Sequence, residues 1–251
     1  MSGDPLPGDA AIAVRGLTRR FGSFTAVDHL TFAVAPGEVF GFLGANGAGK
    51  TTAIKMLIGL LAPSEGEARV AGHDIGREPD RVRERIGYMS QRFSLYEDLT
   101  VRENIALYGG IYGLSEAEIV RRGDALLAEL RFASHADTLV RAIPLGWKQK
   151  LAFSVAMLHQ PAVVFLDEPT GGVDPVTRRQ FWEMIYAAAA RGTTVFVTTH
   201  YLDEAAYCDR ISIMVDGRIA ALGTPDGLQA EFGAASLDAL FVHLARGTAA
   251  A

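Results

Sequence analysis

The stretch EVFGFLGANGAGKTTAIK constrains the fold of this chain more than any other. An apolar run ends in a glycine-rich turn, Gly44 to Thr51, and a helix opens directly from that turn, the context a phosphate-binding P-loop requires. Gly44, Gly47 and Gly49 let the backbone bend and bring N–H groups toward a phosphate, and the helix N-terminus adds its partial positive charge. Lys50 supplies a point charge for the outer phosphates, and the Thr51 hydroxyl is a candidate magnesium ligand. The phosphate-binding set is therefore Gly44, Ala45, Asn46, Gly47, Ala48, Gly49, Lys50, Thr51 and Thr52. Lys50 is expected to be an exposed loop residue that serves the ligand and contributes little to the core.

A second carboxylate site follows far downstream. Asp167 ends the apolar run AVVFL, where it can hold magnesium through water, and Glu168 comes next. Successive side chains on a strand point to opposite faces, so at the strand end Asp167 turns toward the metal and Glu168 toward an attacking water. Glu168 is the candidate general base or water-orienting group. No Asn-Lys-x-Asp guanine reader occurs, so P-loop GTPases fit poorly.

The 251 residues, 49% hydrophobic and 21% charged, suffice for one large domain or two lobes sharing a core. A net charge of -5 argues against a nucleic-acid partner. The basic pairs Arg121-Arg122 and Arg178-Arg179 read as solvated helix faces. A single cysteine, Cys208, excludes an internal disulfide framework and fits a buried apolar role. No apolar run has the length to span a bilayer and MSGDPLPGDA lacks a signal peptide's apolar core, so a cytoplasmic protein is expected.

AIAVRGL, VDHLTFAV and EVFGFLG read as strands, with Pro36-Gly37 turning between the last two, and EARVAG and RIGYMS supply two more. From Val101 to about Gln160 the pattern is helical. AVVFLD, TTVFVTTH and DRISIMVDGRIAALG return to strands, the last a hairpin turned by Asp216-Gly217, with a helix from Val176 to Ala190 between the first two. Alternating strands and helices imply an α/β parallel-sheet core with the helical block as an insertion. In SLDALFVHLARG, Leu237, Leu240, Phe241 and Leu244 share a helical face that packs on the same domain, leaving His243 at the surface.

Together these features resemble the nucleotide-binding subunit of an ATP-binding-cassette (ABC) transporter over residues 11–246. Phe21 stands where the family's aromatic stacks on adenine. Gln91 in GYMSQRFSLY matches the glutamine that joins magnesium to the membrane partner. IPLGWKQKL matches the signature segment through Pro144, Leu145, Gly146 and Trp147, Asp174 in GGVD matches the dimer-contact loop, and His200 in TTH matches the γ-phosphate sensor. SLYEDLTVRENI, DEPTGGVDP and THYLDEAAYCDRI are similar to the ABC-2-type multidrug and ion exporters, often tandem cassettes, of which this chain holds one.

The resemblance implies a P-loop NTPase with a RecA-like parallel-sheet core, an antiparallel β subdomain and an inserted α-helical subdomain. The expected division is a disordered lead 1–10, a catalytic core 11–91 and 161–235, a helical subdomain 92–160 carrying the signature, and a C-terminal helix and tail 236–251. It implies ATP and Mg2+ as cofactors, with Lys50, Gln91, Glu168 and His200 in catalysis and Thr51, Gln91 and Asp167 at the metal. A second ATP-binding subunit, identical or different, offers its signature across the dimer, and ABC-2-type permease subunits hold the chain at the inner face of the membrane. Gln91, Phe93, Leu95 and Tyr96 are the expected permease-docking surface. A soluble ABC-type mechanical ATPase and a nucleotide-gated regulatory module are the alternatives. The family places serine and two glycines where this chain has Pro144, Leu145 and Gly146. Proline suits a first helical position, and the N–H groups of Leu145, Gly146 and Trp147 are expected to face phosphate still.

Overall fold

A computed structural model describes residues 6, 8–91 and 95–248; residues 1–5 and 7 of the expected disordered lead, and Phe93, lie outside the described residues. The chain opens with β1 (Ile12–Phe21) and β2 (Phe24–Val34), turns at Pro36-Gly37 into β3 (Val39–Gly44), and enters α1 (Lys50–Leu57) through the glycine loop. Next come β4 (Glu65–Val70), β5 (His73–Asp74), α2 (Pro79–Arg85) and β6 (Ile86–Met89). The helical stretch holds α3 (Val101–Ile111), α4 (Glu116–Glu129) and α5 (Leu145–Ala156). The remainder alternates β7 (Val163–Asp167), α6 (Pro175–Ala190), β8 (Thr194–Thr199), α7 (Leu202–Ala205), β9 (Arg210–Val215), β10 (Arg218–Gly223), α8 (Pro225–Glu231) and α9 (Leu237–Thr248).

Two sheets form. One is four-stranded and antiparallel in the order β2-β1-β4-β5; the other is six-stranded in the order β10-β9-β3-β8-β7-β6. β3, β6, β7, β8 and β9 run parallel, and β10 returns antiparallel at one edge through the Asp216-Gly217 turn, both residues at positive φ. The Pro36-Gly37 turn thus passes the chain from one sheet to the other, since β2 and β3 do not pair.

The six-stranded sheet is buried on both faces, and the two-residue period of its strands divides their side chains between two cores. Phe40, Phe42, Val163, Phe165 and Phe196 join Ile54, Met56 and Leu57 of α1 and the inner face of the antiparallel sheet. Val39, Leu43, Val164, Leu166, Val195 and Val197 join α5, α6, α9 and the inner side of α4. Phe196 is the hub of the first core, with its ring 5.2–6.2 Å from those of Phe32, Phe40, Phe42 and Phe165.

Helices α3 and α4 start where local chemistry directs. Thr100 with Glu103 and Ser115 with Glu118 form reciprocal capping boxes at α3 and α4. Arg121 is exposed as expected, but Arg122 is half-buried: it donates to the Leu158 carbonyl at 2.9 Å and pairs with Glu118 at 3.3 Å, tying α4 to the chain beyond α5. Cys208 is buried, which pushes its thiol pKa up. Leu237 and Leu240 of α9 are buried against α7, α8 and β9, and His243 is exposed. Among the described residues no helix is long and apolar enough to cross a membrane.

Phe196→Ala should lower unfolding free energy by about 3–5 kcal/mol, the usual cost of deleting a fully buried aromatic. Urea denaturation measures it, and a loss below about 1 kcal/mol would show that the aromatic cluster does not hold the two sheets together.

Candidate functional site

The site is built on strand ends. β3, β8, β7 and β6 are adjacent and parallel, and the pairings Leu43 with Thr199 and Asp167 with Thr198 bring their carboxyl ends to one level. Loops leaving that edge carry the glycine turn, Asp167-Glu168, His200 and Gln91, which matches the general placement of ligand sites in open α/β sheets.

The glycine turn is shaped by sterics. Gly49 caps α1 at φ 104°, and a Cβ there would collide with the carbonyl of Ala26 and approach the Met214 side chain. Ala45, Asn46 and Gly47 are exposed at the rim, whereas the N–H of Ala48 is already given to the Ala45 carbonyl at 3.1 Å. Thr51 is exposed and Thr52 half-buried in the first turn of α1. Lys50 corrects the sequence expectation: it is only 5% exposed and belongs to α1. Its ammonium donates to the carbonyls of Gly44 at 2.6 Å and Ala45 at 3.1 Å and lies 3.7 Å from Glu168 Oε1. It therefore holds the loop's shape as well as offering charge. Burial lowers its pKa, opposed by the charges of Glu168 and Asp167.

Asp167 and Glu168 meet different partners, but strand alternation is not the cause, since Glu168 lies past the end of β7. Asp167, buried at the end of β7, accepts from Thr198 Oγ1 at 2.7 Å, and Thr51 Oγ1 stands 3.4 Å from its other oxygen. Burial raises its pKa, and the Thr198 hydrogen bond works the other way. Glu168 leaves the strand at φ 51°, a left-handed conformation that costs a residue with a Cβ about 1–3 kcal/mol. Thr198 holds that turn, its carbonyl and hydroxyl both accepting from the Glu168 N–H at 3.1 Å. The turn delivers the Glu168 carboxylate between three partners: Gln91 Nε2 donates to it at 2.7 Å, His200 Nδ1 lies 3.2 Å away, and Lys50 approaches from the other side. Lys50, Gln91, Glu168 and His200 are thus brought together.

Three other expected site elements lie apart from that group. Phe21, 47% exposed at the tip of the β1–β2 hairpin, carries the Arg19 guanidinium 4.6 Å from its ring. Asp174 caps α6, accepting from the N–H groups of Val176 and Thr177 at 3.0 Å and from Thr177 Oγ1 at 2.6 Å. These bonds, the Thr177 hydroxyl first, hold its carboxyl below the usual range. Beside it runs the IPLGWKQK segment. Pro144 is the cap of α5 at φ −61° and ψ 153°, not its first helical residue, and its carbonyl accepts from both Trp147 and Lys148 at 3.0 Å. The Trp147 N–H is therefore spent inside the helix, leaving Leu145 and Gly146 as the segment's outward donors. Gly146 is required for a different reason: a Cβ would sit 2.6 Å from Thr177 Cγ2. Gln149 Nε2 donates to the Gly171 carbonyl at 3.0 Å, so α5 is anchored to the loop between Glu168 and α6.

In the expected docking surface Tyr96 is 56% exposed and Gln91 is exposed, but Leu95 is 5% exposed and packs in the core with Val101 and Ile105. Sequence reasoning missed Thr198 altogether. The available signal was a threonine at the polar end of an otherwise apolar strand, one residue before the Thr199-His200 pair.

Thr198→Val keeps the shape but removes the donor to Asp167 and one of the two acceptors for the Glu168 N–H, the backbone carbonyl remaining, so it should destabilise the protein by about 1–3 kcal/mol, the cost of leaving the buried Asp167 oxygen without its donor. Equal thermal midpoints for the two proteins would sink this account of the Glu168 turn.

The family model described as "ABC transporter" matches residues 27–171. The chain is 47% identical over 228 residues to the probable multidrug ABC transporter ATP-binding protein YbhF of Escherichia coli (strain K12), covering 90% of this chain but 39% of that protein. It is therefore similar to well under half of that relative's length. It is 42% identical over 231 residues to the daunorubicin resistance ATP-binding protein DrrA3 of Streptomyces coeruleorubidus, covering 92% of this chain and 73% of that protein. A solved structure of an ATP-binding subunit of an ABC transporter superposes with a TM-score of 0.84 at 35% identity, over 93% of this chain and 99% of that one. Family match, relatives and fold agree with the site's geometry: the chain belongs to the ABC transporter family as one of its ATP-binding cassettes.

Proposed function

We propose that this chain is the ATP-hydrolysing subunit of an ABC-2-type exporter, which closes with a second ATP-binding subunit around ATP and passes that motion to separate permease subunits. The observation that carries this reading is the convergence of Lys50, Gln91 and His200 on the Glu168 carboxylate at the carboxyl edge of the sheet. The export assignment draws on relatives named for multidrug transport and daunorubicin resistance.

In this reading the rim formed by Gly44 to Thr52 takes the phosphates, with Lys50 facing the outer ones, and Phe21 takes the base. Glu168 accepts the proton of the attacking water through a carboxylate that the strained turn has already aimed. Gln91 and His200 orient that carboxylate and then the outer phosphate. A magnesium ion fits the donors present, since Thr51 and Asp167 offer hard oxygens and few of them, as suits an ion that keeps waters and phosphate oxygens in its shell. Bound there, it would neutralise charge on the phosphates and favour the ionised form of the buried Asp167. Leu145 and Gly146, beside Asp174, present their N–H groups to nucleotide held by the second subunit. The exposed Tyr96 near Gln91 is the part of the docking surface that meets the permease.

Glu168→Gln should bind ATP, stall hydrolysis and accumulate a closed dimer. Size-exclusion chromatography with ATP and magnesium reads this directly, and a purely monomeric variant beside an active unmodified protein would remove the shared-site reading. Pro144→Ser should raise turnover, because it adds a hydroxyl where the segment faces the neighbour's phosphate. A hydrogen bond to a charged group contributes about 1.5–3 kcal/mol, enough to be visible in steady-state phosphate release. A rate per folded dimer at or below the unmodified one would take IPLGWKQK out of the phosphate contacts.

A further inference from the structure

Beneath His200 lies a charged cluster that the proposed chemistry does not use. Glu204, on the short helix α7, is 0% exposed. Its Oε1 accepts from Thr170 Oγ1, two residues beyond Glu168, and lies 3.5 Å from Arg178 Nε of α6. Arg178 Nη1 donates to Asp203 at 3.1 Å, and its guanidinium lies over the Tyr201 ring at 4.8 Å. That ring is 4.1 Å from the His200 ring, and His200 returns to Glu168. The contacts form a chain from Thr170 through Glu204, Arg178, Tyr201 and His200 to Glu168, and the backbone of the Glu168–Thr170 segment joins its two ends. Arg178 is also one helical turn from Asp174, whose carbonyl accepts its N–H at 3.0 Å.

The joint is incomplete. Arg178 Nε and Glu204 Oε2 are both buried and neither has a hydrogen-bond partner, although the two side chains are within ion-pair distance of each other. A buried donor and a buried acceptor left open side by side favour any small movement of α6 against α7 that joins them. Because Arg178 lies over the Tyr201 ring and that ring is 4.1 Å from the His200 ring, such a movement would bear on His200 as well. A residue needed only for packing would be better served here by an apolar side chain, because breaking or leaving open a buried ion pair is costly.

We propose that Glu204 and Arg178 are positioning residues, a buried joint through which the setting of the Asp174 end of α6 fixes the contact between His200 and Glu168. The inference rests on the functional reading above for its catalytic consequence, but its geometric core is independent of it. Displacing Asp174, as a second subunit would, closes or opens the joint and so sets the catalytic pair.

The test uses the full chain labelled with carbon-13 in its histidine rings, the His200 signal being assigned by its loss in His200→Gln. Without nucleotide, Glu204→Gln and Arg178→Lys should each shift the His200 ring signals and leave those of His29 and His73, both in the antiparallel sheet, in place. With ATP, each variant should keep nucleotide affinity within about twofold while kcat falls about tenfold or more, the order that a misplaced catalytic group costs. Glu204→Gln combined with Arg178→Lys should be no worse than the more impaired single variant, as expected of one coupled device. An unmoved His200 signal with only a lowered thermal midpoint makes the cluster a packing element and overturns the proposal, as do independent, multiplying losses in the double variant. If Glu204→Gln does not fold, Arg178→Lys decides, since its side chain is partly exposed. A shifted His200 signal in a protein whose unmodified form hydrolyses no ATP would support the joint and defeat the functional reading instead.

Discussion

The level at which the parallel strands stop is the constraint on which this structure depends. β3, β7 and β8 are tied in register by backbone hydrogen bonds, and each carries large apolar side chains on both faces. A slip of one residue in β7 would exchange Val164 and Leu166 with Val163 and Phe165 between two unlike cores and draw Asp167 away from Thr198. Because both cores resist that exchange, the strand ends are fixed, and with them the positions from which Lys50, Glu168 and His200 approach one another. Packing therefore sets the electrostatics: burial that perturbs Lys50 and Asp167 in opposite directions follows from the same sheet that aligns them.

The phosphate loop, the Asp167-Glu168 pair and the Asp216-Gly217 hairpin were legible in the sequence because each is encoded by adjacent residues under local steric rules. What depends on distant neighbours was not. Lys50 reads as a loop cation, yet carbonyls of its own loop and the Glu168 carboxylate just beyond β7 enclose it. Leu95 sits in a stretch expected to meet a partner and is nonetheless drawn into the core beside Val101. Proline at 144 fits either a cap or a first helical position, and the choice is made by where its carbonyl finds donors. The placement of β2 and β3 in separate sheets is likewise invisible to alternation, which reports a buried face without saying which sheet owns it.

Glu168 shows strain and support arriving together. Its positive φ swings the side chain out of the strand's alternation, and the price is met by a threonine that accepts the same residue's N–H through two oxygens. The neighbouring strand thus decides where this carboxylate points, which explains why the motif Asp-Glu alone does not specify the geometry.

The contact between Gly49 and Ala26 has a further consequence. The collar of Ala26, Asp28, Ala48 and Gly217 is laced by hydrogen bonds from Asp28 to Gly217 and from Gly217 to Ala48, with Arg218 paired to Asp28. The β1–β2 hairpin and the glycine loop are consequently tied together, the hairpin carrying Phe21 at its tip and the loop leading into Lys50. Under the proposed reading, with the base at Phe21 and the outer phosphates at Lys50, this tie sets the span a nucleotide must match.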